Sequence, residues 1–302
     1  MTFAPVVLFV YNRPQHTQMV LEALARCAEA SQTDLHIFAD GPKPNATPEQ
    51  ISNVLAVREI IHLKPWCGKV FIHESTQNKG LANSVMNGLD KLFAQHEAVI
   101  VMEDDIVPQI GFLKFMNDAL TLYATDSKVF GVSAFAHPMH FAASEDTFFL
   151  PIGASWGWGT WARAWRQMLR NPQLLLARVN KKGVKNYNFG EYYFYDILKA
   201  QAEGKIDSWA CQFHASIYLE DSLFLFPRLS LVKNIGFDSS GTHCTEDDFF
   251  SRTPLTDFLT VEKQALTAHS KARQAVELAF KKQFGKPSLW QRIRRKLGLE
   301  QN

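Results

Sequence analysis

The sequence predicts a mixed α/β protein on a mostly parallel central sheet, and three observations lead there. Short β-rich apolar runs alternate with longer amphipathic segments through the first hundred residues. Those runs lack polar alternation, as in strands buried on both faces. Each then ends in polar residues, as expected where a parallel sheet turns its carboxyl edge toward a ligand.

In chain order, residues 4–11 (APVVLFVY) form the first strand. Pro14 follows at a first helical position, and Met19, Val20, Leu24 and Cys27 recur at helical spacing in a helix over 16–30. A second strand covers 35–39 and stops at Asp40-Gly41-Pro42. A helix over 51–63, a strand over 69–73, a helix over 80–95 and a strand over 98–102 complete the alternation. The polar residues that follow the four strands are Asn12-Arg13, Asp40, Glu74 and Glu103-Asp104-Asp105. Beyond Pro108 the pattern loosens. It predicts a helix over 111–124, a strand over 129–135, an aromatic segment over 155–165, a helix near 191–203, and strands near 223–226 and 229–232. No period repeats and no linker interrupts 1–280, so a single continuous domain is expected.

Composition narrows the function. The 302 residues hold 32 Lys+Arg against 30 Asp+Glu, a formal net charge of +2, without the basic surplus of a nucleic-acid binder. Apolar residues at 46% and charged ones at 21% describe a folded chain. With 23 Phe, 7 Trp and 7 Tyr it is rich in flat surfaces suited to packing or to stacking on sugars and bases. The apolar run at 6–11 is too short for a signal core or a membrane span. Cys27, Cys67, Cys211 and Cys244 form no C-x-x-C pair, which argues for a reducing, cytoplasmic setting. Charge is also unevenly distributed. Residues 281–302 carry Lys281, Lys282, Lys286, Arg292, Arg294, Arg295 and Lys296 against Glu300 alone, leaving the body mildly acidic. Leu289, Trp290, Ile293 and Leu297 share one helical face there. A basic amphipathic tail suits an anionic membrane surface; a solvated terminal helix is the plainer alternative.

The strongest chemical signal is VIVMEDD at 99–105. Three acids ending a buried strand repel one another and lose hydration unless a cation joins them, and oxygen ligands suit Mg²⁺ or Mn²⁺. Asp40 ends the second strand at the same edge, as a ribose or base contact or as an Asp-Gly turn. Arg13 and Lys79 are candidates for a diphosphate, or surface cations. SWGWGTW at 155–161 sets Trp156, Trp158 and Trp161 among glycines, a pattern for close approach to a sugar ring as much as for packing. Asp207, before Ser208-Trp209, reads as a general base beside an apolar wall or as the N-cap of a helix over 209–219. NIGFDSSGTHC at 234–244 is a polar loop ending in His243, whose imidazole suits a phosphate or metal.

Taken together, VLFVYNRP at 7–14, FADGPK at 38–43, NKGL at 78–81, VIVMEDDIVP at 99–108, SWGWGTW at 155–161, DSWA at 207–210 and the 230–244 segment resemble GT-A glycosyltransferases. The likeness is nearest to bacterial sugar transferases similar to N-acetylglucosaminyltransferase I. It implies a Rossmann-like, mostly parallel sheet flanked by helices, with a donor half over about 1–108 and an acceptor half over about 109–280. It implies a nucleotide-sugar donor, foremost a UDP-sugar, and a glycan or lipid-linked acceptor in surface polysaccharide or lipopolysaccharide synthesis. A cytoplasmic enzyme would then rest on the inner face of the membrane through 281–302. By the same likeness Asn12, Arg13 and Asp40 lie around base and ribose, Asn78 and Lys79 near ribose or diphosphate, and Asp105 on the metal. Asp104 faces the ribose, Glu103 the donor sugar and acceptor hydroxyl, Trp156 and Trp158 the sugar and acceptor sites, and His243 the diphosphate. Asp207 is the expected base, with Glu103, Glu246 and Asp247 as substitutes. The sequence departs from the family in placing this acid before Trp209 rather than after it. A nucleotidyltransferase or phosphotransferase would share the sheet and acids but bring a Gly-rich phosphate loop, absent at 11–14. A non-catalytic carbohydrate binder is the other alternative.

Overall fold

The computed structural model describes residues 3–139, 145–238 and 248–284. The expected alternation is present in the first half: β1 (Val6–Val10), α1 (Pro14–Ala25), β2 (Asp34–Ala39), α2 (Pro48–His62), β3 (Lys69–Glu74), α3 (Leu81–Leu92) and β4 (Ala98–Glu103). Boundaries differ by a few residues, with α2 beginning at Pro48 and α3 ending at Leu92, and the largest change is in α1. α1 stops at Ala25, because Cys27 takes an extended backbone before a 3-10 turn over Ala28–Gln32.

The second half adds β5 (Ile106–Pro108), α4 (Phe112–Leu122), β6 (Val129–Ser133), β7 (Thr147–Leu150), β8 (Trp158–Trp161) and α5 (Ala162–Gln167). It continues with α6 (Pro172–Lys182), α7 (Val184–Tyr187), α8 (Phe194–Ala202), α9 (Trp209–Leu219), β9 (Leu223–Pro227), β10 (Val232–Asn234), α10 (Asp248–Ser251) and α11 (Ser270–Phe284). Eight strands form one sheet in the order β3-β2-β1-β4-β8-β6-β9-β7. β8 and β7 run against the other six, so the sheet is mixed and mostly parallel, with helices on both faces. β5 and β10 pair separately as a two-stranded antiparallel ribbon.

The first strand shows why its sequence has no polar alternation. Val6, Leu8 and Val10 enter the core shared with α1, α2 and α4, whereas Val7 and Phe9 enter the opposite core with α3, α9 and α11. All five are buried, so both faces must be apolar.

The Trp-Gly segment is the main revision. Residues 158–161 are a central strand between β4 and β6 rather than a ligand-facing loop. Trp158 is fully buried and stacks on Trp209 at 5.1 Å, 18° between ring planes. Gly159 faces the other way under α4, where a Cβ would lie 2.9 Å from the Met116 methyl. Trp161 packs on that same face and donates from Nε1 to the Leu120 carbonyl at 3.1 Å. The alternation therefore fits large rings on one face and close helix approach on the other, with Gly157 turning the chain into the strand at φ +58°. Trp158 is a core residue, which corrects the expectation that it faces a sugar. β7 (TFFL), likewise buried throughout, was not anticipated, because four residues carry too little pattern.

Gly131 of β6 tests the packing of this centre. A Cβ there would overlap the Phe224 ring and come within 2.9 Å of the Gly159 carbonyl oxygen. Gly131→Ala is expected to destabilise the fold by about 1–3 kcal/mol, read as a melting temperature lower by several degrees. An unchanged melt would contradict the close contact between these strands.

Candidate active site

The parallel register brings the ends of β1, β2, β3 and β4 to one edge. Phe9 pairs with Glu103, Val10 with Ala39, and Ala39 with Glu74, so the residues after each strand converge. Two clusters form there.

The first is organised by Asp40, 8% exposed. Its carboxylate accepts from the backbone N–H groups of Gly41, Lys79 and Gly80 at 2.9–3.0 Å, and from Asn78 Nδ2 at 3.0 Å. Asn78 Nδ2 also donates to the Gly41 carbonyl at 3.0 Å. Asp40 thus ties the turn after β2 to the loop that starts α3. Gly80 caps that helix at φ +77°, a conformation that requires glycine. The Lys79 side chain points outward, exposed.

The second cluster is the acidic triplet. Arg13 Nη1 lies 3.0 Å from Asp105 Oδ2 and 3.7 Å from Asp104 Oδ1, and the Tyr11 N–H donates to Asp104 Oδ2 at 3.3 Å. The two aspartate side chains are only 13% and 14% exposed. Burial, then repulsion from Asp105, pushes Asp104 up to about 7 despite Arg13. Burial also drives Glu103 well above the usual carboxylate range, with Asp105 and Asp104 adding to it.

Asp105 is held from the far side by the ribbon. Asn234 pairs with Ile106, the Ile235 N–H donates to the Asp105 carbonyl at 2.9 Å, and Gly236 lies directly on the Asp105 carboxylate. A Cβ on Gly236 would sit 3.0 Å from Asp105 Cγ and overlap Oδ2. His16 of α1 fastens the segment further, with Nε2 at 3.3 Å from the Ile235 carbonyl and 3.2 Å from Asp238 Oδ2. Gly236 lies in the polar loop noted at 234–244, but its bearing on Asp105, like the role of His16, is not legible there. Both roles are contacts between distant segments, with no local signature.

A cavity of about 190 Å³ is linked to this cluster through Trp156 and Phe237. Trp156 is on its wall, set edge-on to Phe135 at 4.7 Å and Phe250 at 5.2 Å, and 5.7 Å from Phe237, the residue after Gly236. Ser208 and Trp209 line it too, while Asp207 is exposed one position earlier. Ser208 caps α9 by accepting from the Cys211 N–H at 3.4 Å, so the capping reading of Asp207 does not hold. The structure therefore brings Arg13, Asp104, Asp105 and Glu103 together, sets Asn12 beside Arg13 in the chain, and places Asp40, Asn78 and Lys79 in a neighbouring turn. His243, Glu246, Asp247, Cys244 and residues 285–302 lie outside the described residues. The described part of the basic segment, Lys281 and Lys282, belongs to α11, which runs through the compositional boundary. Cys27, Cys67 and Cys211 are buried free thiols. Among the described residues no helix is long and apolar enough to cross a membrane.

The oxygen-rich cluster fits a hard divalent cation. Asp104 and Asp105 share the Arg13 guanidinium, Glu103 adjoins them, and the upward shifts of Glu103 and Asp104 point to a charge imbalance that Mg²⁺ or Mn²⁺ would relieve. Among the described residues no three acid, imidazole or thiol groups form a cage, so waters and a bound phosphate would supply the other ligands.

No protein-family model and no curated protein sequence matches the chain. Among solved structures, it is similar to the mannosyltransferase PcManGT from Pyrobaculum calidifontis, determined with GDP-Man and Mn²⁺. The identity is 15% over 72% of this chain and 70% of that one, with a TM-score of 0.37. It is also similar to S. aureus TarS, at 13% identity over 77% of this chain, with a TM-score of 0.40; the match spans 36% of TarS.

The raised Asp104 makes a pH prediction for the metal-free protein. Between about pH 4 and pH 7 the folded state holds this proton and the unfolded state does not, so stability falls as pH rises through that window. Asp104→Asn is expected to raise the melting temperature at pH 8 and change it little at pH 4. Equal melts for the two proteins at pH 8 would show that the carboxylate carries no such penalty.

Proposed function

We propose that the chain is a metal-dependent glycosyltransferase that moves a sugar from a nucleotide-diphosphate sugar to a glycan or lipid-linked glycan. The observation that carries this reading is the pairing of Arg13 with Asp104 and Asp105, at a parallel sheet's carboxyl edge and linked by packing to an aromatic cavity. The edge offers charge to a diphosphate, and the cavity offers ring surface to a sugar.

Asp105 would hold the ion, which when bound would offset negative charge on the diphosphate. Arg13 adds a fixed positive charge beside it, made stronger by the low exposure of the cluster. Asp40 positions the 78–80 loop, so that Asn78 and Lys79 border the nucleotide, with Asn12 on the other side. Asp104 faces the ribose and Glu103 the sugar. Trp156 presents a face to the acceptor, and a diphosphate contact is the role proposed for His243. Asp207, adjoining the cavity-lining Ser208 and Trp209, takes the proton of the acceptor hydroxyl as its oxygen attacks the anomeric carbon and the bond to the diphosphate breaks. Attack opposite the leaving group inverts the anomeric centre. UDP-sugars are the first donors to try, and surface polysaccharide synthesis is the setting.

The test is a thermal-shift series with UDP-, GDP-, dTDP- and CMP-sugars, each with and without Mn²⁺. One donor should raise the melting temperature in a Mn²⁺-dependent way, and Asp105→Ala should lose that rise while keeping its circular dichroism. The product made with that donor should carry the inverted anomeric configuration by NMR. No donor shift would reject the function, and retention would reject the mechanism.

We further propose that residues 281–302 attach the enzyme to an anionic membrane, since Lys and Arg near such a surface contribute about 1 kcal/mol each. Truncation at 284 should abolish co-sedimentation with phosphatidylglycerol vesicles. Equal sedimentation of both forms would exclude the tail as the anchor.

A further inference from the structure

The cavity linked to the acidic cluster has a character that the acids do not share. None of the described residues lining it carries a formal charge. Its wall combines Trp156, Tyr192, Trp209 and Phe250 with two imidazoles, His137 and His214. At about 190 Å³ it is somewhat larger than the ~150 Å³ apolar cavity that accepts benzene, so a six-membered ring fits.

The imidazoles are unusual members of such a wall. The Gly153 N–H donates to His214 Nδ1 at 3.3 Å, which leaves the proton on Nε2, toward the Tyr187 backbone but outside normal hydrogen-bond geometry. His214 is 5% exposed, with Phe194 stacked on its ring at 3.9 Å. His137 leaves both ring nitrogens unpartnered, among Phe135, Phe226 and Phe280. Burial holds both rings down to about 4, so they are neutral above pH 5. Their nitrogens are closed off from space the size of a water, so the two rings add neutral surface to the wall rather than a charge.

From these features we infer that the cavity is an acceptor subsite for an uncharged pyranose ring, and that it discriminates against uronic acids and phosphorylated sugars. A pyranose has apolar C–H faces for the aromatic wall and a hydroxyl rim for Ser155 and Ser208, which also line the cavity. A carboxylate or phosphate would be desolvated there without a counter-charge. The cavity is joined to the acids by packing: Trp156 on its wall touches Phe237, and the preceding Gly236 lies on Asp105. The inference rests on the transferase reading for its word acceptor; the binding itself does not.

Saturation-transfer NMR on the full chain tests it, using methyl glycosides of glucose, galactose and N-acetylglucosamine against glucuronate and glucose 6-phosphate. At least one neutral glycoside should receive saturation from aromatic protons, and the two charged sugars should receive none. Ala210→Phe, which fills the cavity from the start of α9, should abolish the signal. Trp156→Ala, which opens the wall instead, should weaken affinity roughly tenfold and serves if the first variant does not fold. Silence from every neutral glycoside, equal saturation of glucuronate, or an unchanged signal in a folded variant would overturn the subsite. A Mn²⁺-dependent donor shift retained in Ala210→Phe would show that the donor site is intact. Loss of the donor shift in the unaltered protein would instead reject the transferase reading and leave the sugar subsite standing.

Discussion

The parallel pairing of β1 with β4 is the constraint on which the site depends. Both strands are buried on both faces, so neither can place a charged residue before its last turn into solvent. Their charges accumulate at the carboxyl end, where the register sets Arg13 opposite Asp104 and Asp105. The cluster is electrostatically expensive, as the upward shifts of Glu103 and Asp104 reflect. A fold retains such a cluster readily where a ligand's charge completes it.

Everything else at the edge holds this arrangement in place. Asp40 uses its carboxylate on the chain's own donors, which makes it a brace for the 78–80 loop. The β5–β10 ribbon brings Gly236 onto Asp105 from a segment 131 positions later, and His16 secures that segment to α1. The acids are therefore clasped between the two halves of the chain. Phe237 and Trp156 carry the contact on into the aromatic cavity, so a change in either half reaches both the charged and the uncharged parts of the site.

Much of the carboxyl edge was legible from local pattern. An apolar run with no polar alternation identifies a doubly buried strand, and its terminal polar residues must then lie at the sheet edge; this placed Arg13, Asp40 and the triplet at 103–105. The Trp-Gly segment misled, because alternation of large and absent side chains means close approach whether the neighbour is a ligand or a helix. Only the position of β8 under Met116 and Leu120 distinguishes them. Asp207 likewise reads as a cap from composition, but Ser208 takes that place, because its hydroxyl is the group that reaches the Cys211 N–H.

By itself the sequence determined the class of fold, the order of strands and helices in the first hundred residues, and which charges end up at the carboxyl edge. These follow from burial and from periods of 2 and 3.6, which are local properties of a chain. Tertiary structure alone decided that Trp158 is core and Trp156 lines the cavity, that Gly236 bears on Asp105, and that His137 and His214 lie in a wall without described charge. Each of those is a contact between residues far apart in the chain. Such contacts depend on how the layers pack against one another, and no window of neighbouring residues contains that information.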